Sequence, residues 1–395
     1  MDILKRNYLD EMISVSKAPD IKVITGVRRS GKSVLLEAFR DYLLQNEANA
    51  NIIYIKLTSF DFEQLLEYHA LHQYVEEHYM PGKVNYLMID EVQMCEGFEL
   101  AINSLYDTKK YNIYLTGSNA FLLSSDLATL FTGRTYSIEV FPFSYKEYKE
   151  YYDMVGREVS FEDYVMEGGL AGSYAYDTME QKYNYIGDVY DTLIMRDIQK
   201  KYNIKNTALL EAVSDFMLSN ISKQTSIRNI ADTLNSKTGE SHHSTVGMYV
   251  EYLCRAYAFY KVRRYDIAGK QYLASQDKYF LSDHVFKFAK LGTRIPDYGK
   301  VYENIVAIEL LRRGYEIYVG TLRGAEVDFV AKKRDEKFYV QVSYDISEPA
   351  TFEREVKSLL AINDAYPKIL LARTRHPEYL HEGIRVVDIA DWLME

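Results

Sequence analysis

Eight consecutive residues, Gly26-Val27-Arg28-Arg29-Ser30-Gly31-Lys32-Ser33, constrain this chain more than any other stretch. They follow the short apolar run Ile21-Lys22-Val23-Ile24-Thr25 and precede residues 34–39, whose apolar positions have helical spacing. A strand, a glycine loop of this pattern and a helix, in that order, make a cradle for phosphate oxygens. The two glycines let the backbone turn tightly so that amide N–H groups converge, and the helix start adds partial positive charge. In such a loop Lys32 reaches the β- and γ-phosphates of a triphosphate, and the Ser33 hydroxyl ligates Mg²⁺. The expected binding residues are Gly26, Val27, Arg28, Arg29, Ser30, Gly31, Lys32, Ser33 and Val34, with Arg28 and Arg29 facing outward or gripping another domain. A plain glycine turn is the competing reading. It is disfavoured because a second element appears where the chemistry needs it.

That element is Tyr86-Leu87-Met88-Ile89-Asp90-Glu91, an apolar strand ending in two acids. A carboxylate at a strand's end suits the Mg²⁺ shell, which assigns Asp90. A second one beside it suits the orientation and activation of a water, which assigns Glu91. A third run, Tyr111-Asn112-Ile113-Tyr114-Leu115-Thr116, leads into Gly117-Ser118-Asn119. Where an extra strand lies between the loop strand and the acidic strand, a polar residue here senses the γ-phosphate. Asn119 is the expected sensor and Ser118 the second choice, with a helix N-cap as the competing role. The extra strand is read as residues 51–57. Arg134 precedes another strand, expected over residues 136–141. A guanidinium delivered to a neighbouring subunit's γ-phosphate accelerates hydrolysis by ~10³–10⁵, roughly 4–7 kcal/mol of barrier. A structural ion pair is the competing reading of Arg134. The expected catalytic set is thus Lys32, Glu91, Asn119 and Arg134.

The eight loop residues, the Asp90-Glu91 strand, Gly117-Ser118-Asn119, and Gly133-Arg134 followed by Phe141-Pro142-Phe143-Ser144 together resemble one family. It is the prokaryotic ATPases that pair an AAA-type P-loop domain (AAA_14) with a C-terminal domain of unknown function (DUF4143). The resemblance spans nearly the whole chain and includes Gly168-Gly169-Leu170 and Glu326-Val327-Asp328-Phe329 with Val340-Gln341-Val342-Ser343. Ala171 stands where relatives often carry proline. The resemblance implies ATP as the nucleotide, and the ring-type motifs imply a homo-oligomer.

A chain of 395 residues divides into two to four domains. The expected fold is α/β: an AAA/ASCE-type P-loop NTPase parallel sheet over residues 1–143, then a helical lid or connector over 144–205. A winged-helix domain is expected over 206–292 and a nuclease-like α/β domain over 293–395. The winged-helix reading rests on two amphipathic helices followed by two strands around Asp266-Ile267-Ala268-Gly269-Lys270. The chain carries a formal net charge of −10, which argues against non-specific coating of nucleic acid. From Ser222 to Tyr272, however, eight Lys/Arg stand against four Asp/Glu, so Arg263, Arg264 and Lys270 are the candidate phosphate contacts on DNA. A winged helix used for protein contacts is the competing reading.

The last hundred residues repeat an α-β-β-β-α-β order similar to the core of PD-(D/E)XK nucleases. In those enzymes two acids and a D/E-x-K bind metal and activate water; the corresponding positions are Glu303, Asp328 and Gln341-Val342-Ser343. Gln341 is neutral and Ser343 replaces the lysine, so a degenerate fold used for binding is expected, with Glu303 and Asp328 as candidate metal ligands or fold-stabilising acids. The expected function is a Mg²⁺-dependent ATPase whose cycle gates a DNA- or partner-binding C-terminal half. The alternatives are a nucleotide-gated signalling switch acting through protein contacts and an ATP-regulated nuclease. The 37 tyrosines read as packing groups, buried rings with a polar tip. Two distant cysteines, no apolar run of ~20 residues and no secretion signal point to a cytoplasmic protein without a membrane partner.

Overall fold

The computed structural model describes residues 4–117, 131, 133–238, 242–292, 297–322 and 324–395. They form two compact units. One comprises Met1–Pro142 with the short pieces Lys200–Tyr202 and Arg255–Tyr257; the other comprises Phe143–Gln199, Asn203–Cys254 and Ala258–Glu395. Among the described residues, no helix is long and apolar enough to cross a membrane.

The first unit is a five-stranded parallel sheet of β1 (Ile21–Thr25), β2 (Ala50–Lys56), β3 (Val84–Asp90), β4 (Tyr111–Thr116) and β5 (Thr135–Glu139), in the order β2-β3-β4-β1-β5. Both faces are covered, which is why β3 reads as a continuous apolar run. Its alternate residues separate cleanly. Tyr86 and Met88 pack with Leu36, Phe39 and Tyr114 on one face. Leu87 and Ile89 pack with Leu71, Ile102 and Leu105 on the other. One expectation is corrected here. The strand between β1 and the acidic β3 is β4, whereas β2, read as the inserted strand, lies at the sheet edge. Sequence order does not fix spatial order when each strand is followed by a crossover helix.

The second unit begins with the helices Tyr145–Met154, Phe161–Glu167 and Met179–Asp191, two of them separated by the turn at Gly168 (φ +70). Tyr145, Tyr148, Tyr152, Tyr164 and Tyr174 meet ring to ring in this region, with centroids 4.8–5.7 Å apart. Then come the helices Thr207–Ser219, Ile227–Thr238 and His243–Arg255 and a hairpin of β6 (Phe259–Asp266) and β7 (Gln271–Leu281). That order is the one expected of a winged helix, but the hairpin is no separate wing. β6 pairs in parallel with β8 (Glu316–Leu322), through Arg264↔Val319 and its neighbours. The hairpin thereby joins β9 (Ala325–Lys333), β10 (Glu336–Ser343), β11 (Lys368–Ala372), β12 (Tyr379–His381) and β13 (Ile384–Asp388) in one eight-stranded sheet, β12-β13-β11-β10-β9-β8-β6-β7. The stretches read as 206–292 and 293–395 therefore share a sheet. The helix Tyr298–Arg312 is buried without a break from Val301 to Leu310, so it is covered on every side and not only where it meets the sheet.

Candidate functional site

The glycine loop leaves the end of β1 with a conformation that its sequence dictates. Gly26 takes φ +138, and a Cβ there would lie 2.1 Å from the Val140 carbonyl oxygen, so glycine alone fits. Gly31 (φ +99) opens the helix Lys32–Asn46, and the exposed Arg29 between them is also left-handed (φ 66). Three positive φ values within six residues coil the loop into the concave shape that gathers N–H groups. Lys32 lies buried within it, its Nζ donating to the carbonyls of Gly26 (2.9 Å) and Val27 (3.0 Å). The Ser30 hydroxyl is buried with no hydrogen-bond partner among the described residues.

A brace that no sequence pattern announced holds the loop from outside. The buried Arg6 donates to Ser30 O (2.9 Å) and to Phe141 O (2.8 Å), and its guanidinium lies 4.8 Å from the Tyr8 ring centre. One cation thus ties the loop to the segment that follows β5. Its hydrogen-bond partners lie up to 136 residues away, so spacing carried no signal.

The acids arrive at the same end of the sheet. Asp90 closes β3 with 1% exposure, and its Oδ1 accepts from Ser33 Oγ (2.9 Å) and Thr116 Oγ1 (2.5 Å). Burial raises the Asp90 carboxyl above its ordinary range, while the Thr116 and Ser33 hydroxyls pull it back. Glu91 leaves the strand in a left-handed turn (φ 57), its amide donating to Thr116 Oγ1 (3.0 Å) and its carboxylate accepting from Gln93. Thr116 was legible only as the last residue of a strand. In the structure its hydroxyl links both acids.

Other expected residues fall elsewhere. Ser118 and Asn119 lie outside the described residues. Arg134 immediately precedes β5, whose first residue Thr135 is in register with Ile21 at the start of β1. It therefore sits at the opposite end of the sheet from the glycine loop, roughly 16 Å away at ~3.3 Å per strand residue. There it pairs with Asp107 (3.2 Å) and lies over the Tyr106 ring. Val34 is exposed on the first turn of the loop helix. Of the candidate DNA contacts, Arg263 and Lys270 are exposed, whereas Arg264 is half-buried and donates to Thr321 Oγ1 (3.2 Å) and Gln276 Oε1 (3.4 Å).

In the second unit Glu303 and Asp328 do come together, joined by Glu326, and their nearest oxygens lie within 4.8 Å of one another. A fourth group was not foreseen. Lys278 of β7, 1% exposed, reaches all three carboxylates. Burial works to lower the pKa of its ammonium, and the charges of Glu303, Asp328 and Glu326 outweigh that and raise it. Burial and the neighbouring Glu303 push the Asp328 carboxyl up to about 7, against the opposing pull of Lys278. A cavity of about 590 Å³ opens over Glu303, Asp328, Gln341 and Ser343.

Family models match three consecutive stretches: an AAA domain (AAA_14) over residues 18–149, a domain of unknown function (DUF8612) over 158–294, and another (DUF4143) over 298–392. The middle match runs across the division expected at 205/206. An uncharacterized protein of Haemophilus influenzae is 37% identical over 400 residues, covering 100% of this chain and 99% of the relative. One from Methanocaldococcus jannaschii is 24% identical over 406 residues, covering 98% of this chain and 88% of its own length. Among solved structures, a Walker-type ATPase of Pyrococcus abyssi aligns over 73% of this chain and 96% of its own at 17% identity and a TM-score of 0.49, a likeness too slight to carry an argument. With a 37% identical relative matched end to end and both domain models in place, the chain belongs to the prokaryotic P-loop family that joins an AAA_14 domain to a DUF4143 domain.

Proposed function

We propose that this protein binds ATP with Mg²⁺ and hydrolyses it, and that the nucleotide cycle gates a partner- or DNA-binding surface in the C-terminal half. One observation carries the reading: Ser33 Oγ of the loop and Asp90 Oδ1 of β3, distant in sequence, lie 2.9 Å apart. A hydroxyl and a buried carboxylate at the mouth of a coiled glycine loop are the protein's half of a Mg²⁺-nucleotide shell. The residues fit the group. Lys32 already rests on neutral carbonyl acceptors that phosphate oxygens, being charged, outcompete. The orphan Ser30 hydroxyl and the helix N-terminus face the same need for an anion.

Bound Mg²⁺ would neutralise charge on the β- and γ-phosphates. Around it, Lys32 would hold the same phosphates, and Asp90 must be ionised to serve. Glu91, turned out of the strand beside Asp90, orients the attacking water and takes its proton. Arg134 stands far from its own loop, so any role in hydrolysis is toward a nucleotide held by a neighbouring copy of the chain. Specific activity that rises with protein concentration and is lost in Arg134→Ala supports that role and a homo-oligomer.

The defining experiment measures ATP affinity and phosphate release in wild type and Lys32→Ala. Binding should be lost in the variant; an unchanged micromolar affinity, about 8 kcal/mol, overturns the assignment. For the C-terminal half, the exposed Arg263 and Lys270 are the proposed phosphate contacts. DNA affinity should then fall with salt at a slope of about −0.9 per contact, and Arg263→Ala should flatten that slope. No DNA binding at low salt would favour a protein partner.

A further inference from the structure

The acidic cluster of the second unit has its own cation. Glu303 Oε1 accepts from Lys278 and its Oε2 from Lys300 (2.8 Å). Glu326 Oε1 forms an ion pair with the Lys278 ammonium (2.5 Å), and its Oε2 accepts from Gln224. Asp328 Oδ1 lies 3.5 Å from the Lys278 ammonium, and its Oδ2 accepts from the Val342 amide (2.9 Å). Each of the six carboxylate oxygens thus already has a hydrogen-bond or ion-pair partner, and a single ammonium touches all three side chains.

The neighbouring positions are equally occupied. Gln341 accepts from the Asp328 amide through Oε1 (3.2 Å) and donates to Glu355 through Nε2 (2.8 Å). The Ser343 hydroxyl turns away to the Asp345 carbonyl (3.0 Å). A divalent ion would have to bind the oxygens that Lys278 holds, and the ammonium and the ion cannot share that space. Moving the ammonium would leave a lysine of 1% exposure without its counter-charges.

We infer that Lys278, contributed by β7 of the hairpin, is the resident cation of this cluster, standing where a divalent metal would otherwise be bound. The cavity above is therefore a metal-independent surface in the native chain, and the cluster is a lock between the hairpin and the C-terminal strands. The inference is independent of the nucleotide site.

The test is a Mn²⁺ titration of the full chain without nucleotide, followed by calorimetry or electron paramagnetic resonance. Any ion bound near Asp90 is common to all variants, so comparison with Asp328→Asn isolates the cluster. In wild type, Asp328→Asn should leave the isotherm unchanged up to 1 mM Mn²⁺ (roughly 4 kcal/mol of affinity). Lys278→Met should gain one further Mn²⁺ per chain, and Lys278→Met combined with Asp328→Asn should lose it. A wild-type site abolished by Asp328→Asn, or Mg²⁺- or Mn²⁺-dependent cleavage of DNA abolished by it, overturns the inference. So does a folded Lys278→Met that gains no ion. If Lys278→Met does not fold alone, Mn²⁺ should restore a cooperative melt, and the wild-type comparison decides the matter by itself.

Discussion

Two buried lysines, one in each unit, show how partner chemistry decides what a cation is for. Lys32 rests against the carbonyls of Gly26 and Val27, dipoles that hold an ammonium without cancelling its charge. Lys278 rests against three carboxylates that cancel it. Each has acids of its own sheet within reach of its site, at strand ends or on a covering helix. In the first unit the acid is kept by hydroxyls: Ser33 and Thr116 donate to Asp90, which leaves its negative charge available to a metal. In the second the acid and the lysine are spent on each other. A site poised for a ligand holds its charges by neutral donors and acceptors, and a site closed to one pairs them internally.

The comparison can be tested from both sides, beginning with the largest effect. Glu91→Gln should bind ATP as wild type does while phosphate release falls by ~10²–10⁴; undiminished turnover removes Glu91 from the chemistry. Lys278→Met should leave ATP affinity alone and cost about 3–5 kcal/mol of stability, since it uncovers the buried carboxylates of Glu303 and Asp328 and the half-buried one of Glu326. Chemical denaturation reads this directly, and a neutral result would mean that the lysine is not the cluster's counter-ion.

Thr116→Val strips Asp90 of one donor and should cost about 1–3 kcal/mol. It also has a pH signature. Burial already raises the Asp90 carboxyl and the Thr116 hydroxyl lowers it, so the variant's carboxyl lies higher still. On the proposed reading Mg²⁺-ATP binding uses the ionised form, so it should fail at a higher pH in Thr116→Val than in wild type as the solution is acidified. An unshifted profile would separate Thr116 from the metal acid. Smallest of all, Arg134→Ala removes an exposed pair and a ring contact, and should change stability by less than about 1 kcal/mol. A larger loss would make Arg134 a structural residue.

The parts of this molecule that were legible in sequence are those whose chemistry is written in contiguous residues. The glycine loop, the strand ending in Asp90 and Glu91, and the α-β-β-β-α-β order of the last hundred residues all depend on local period and spacing, and the structure has them. Arg6, Thr116 and Lys278 were not legible as site residues, because each acts through hydrogen-bond partners 24 to 136 residues distant. The position of β4 between β1 and β3 belongs to the same class: both faces of the sheet are buried, so the apolar runs of β2, β3 and β4 look alike. Lys278 was the hardest to see. A lysine in a strand is ordinarily read as solvent-facing, and only the acids contributed by β9 and the helix Tyr298–Arg312 make its burial tolerable.

The pairing of β6 with β8 has a consequence for where this chain can be divided. Removing residues 297–395 would strip β6 of its partner β8 and leave it only β7, and removing residues up to 292 would bare one edge of β8, with its row of unsatisfied N–H and C=O groups. The hairpin and the C-terminal strands should consequently open as one cooperative block, their amides exchanging hydrogen together rather than in two separate stages. Either fragment expressed alone would be expected to self-associate through that bared edge.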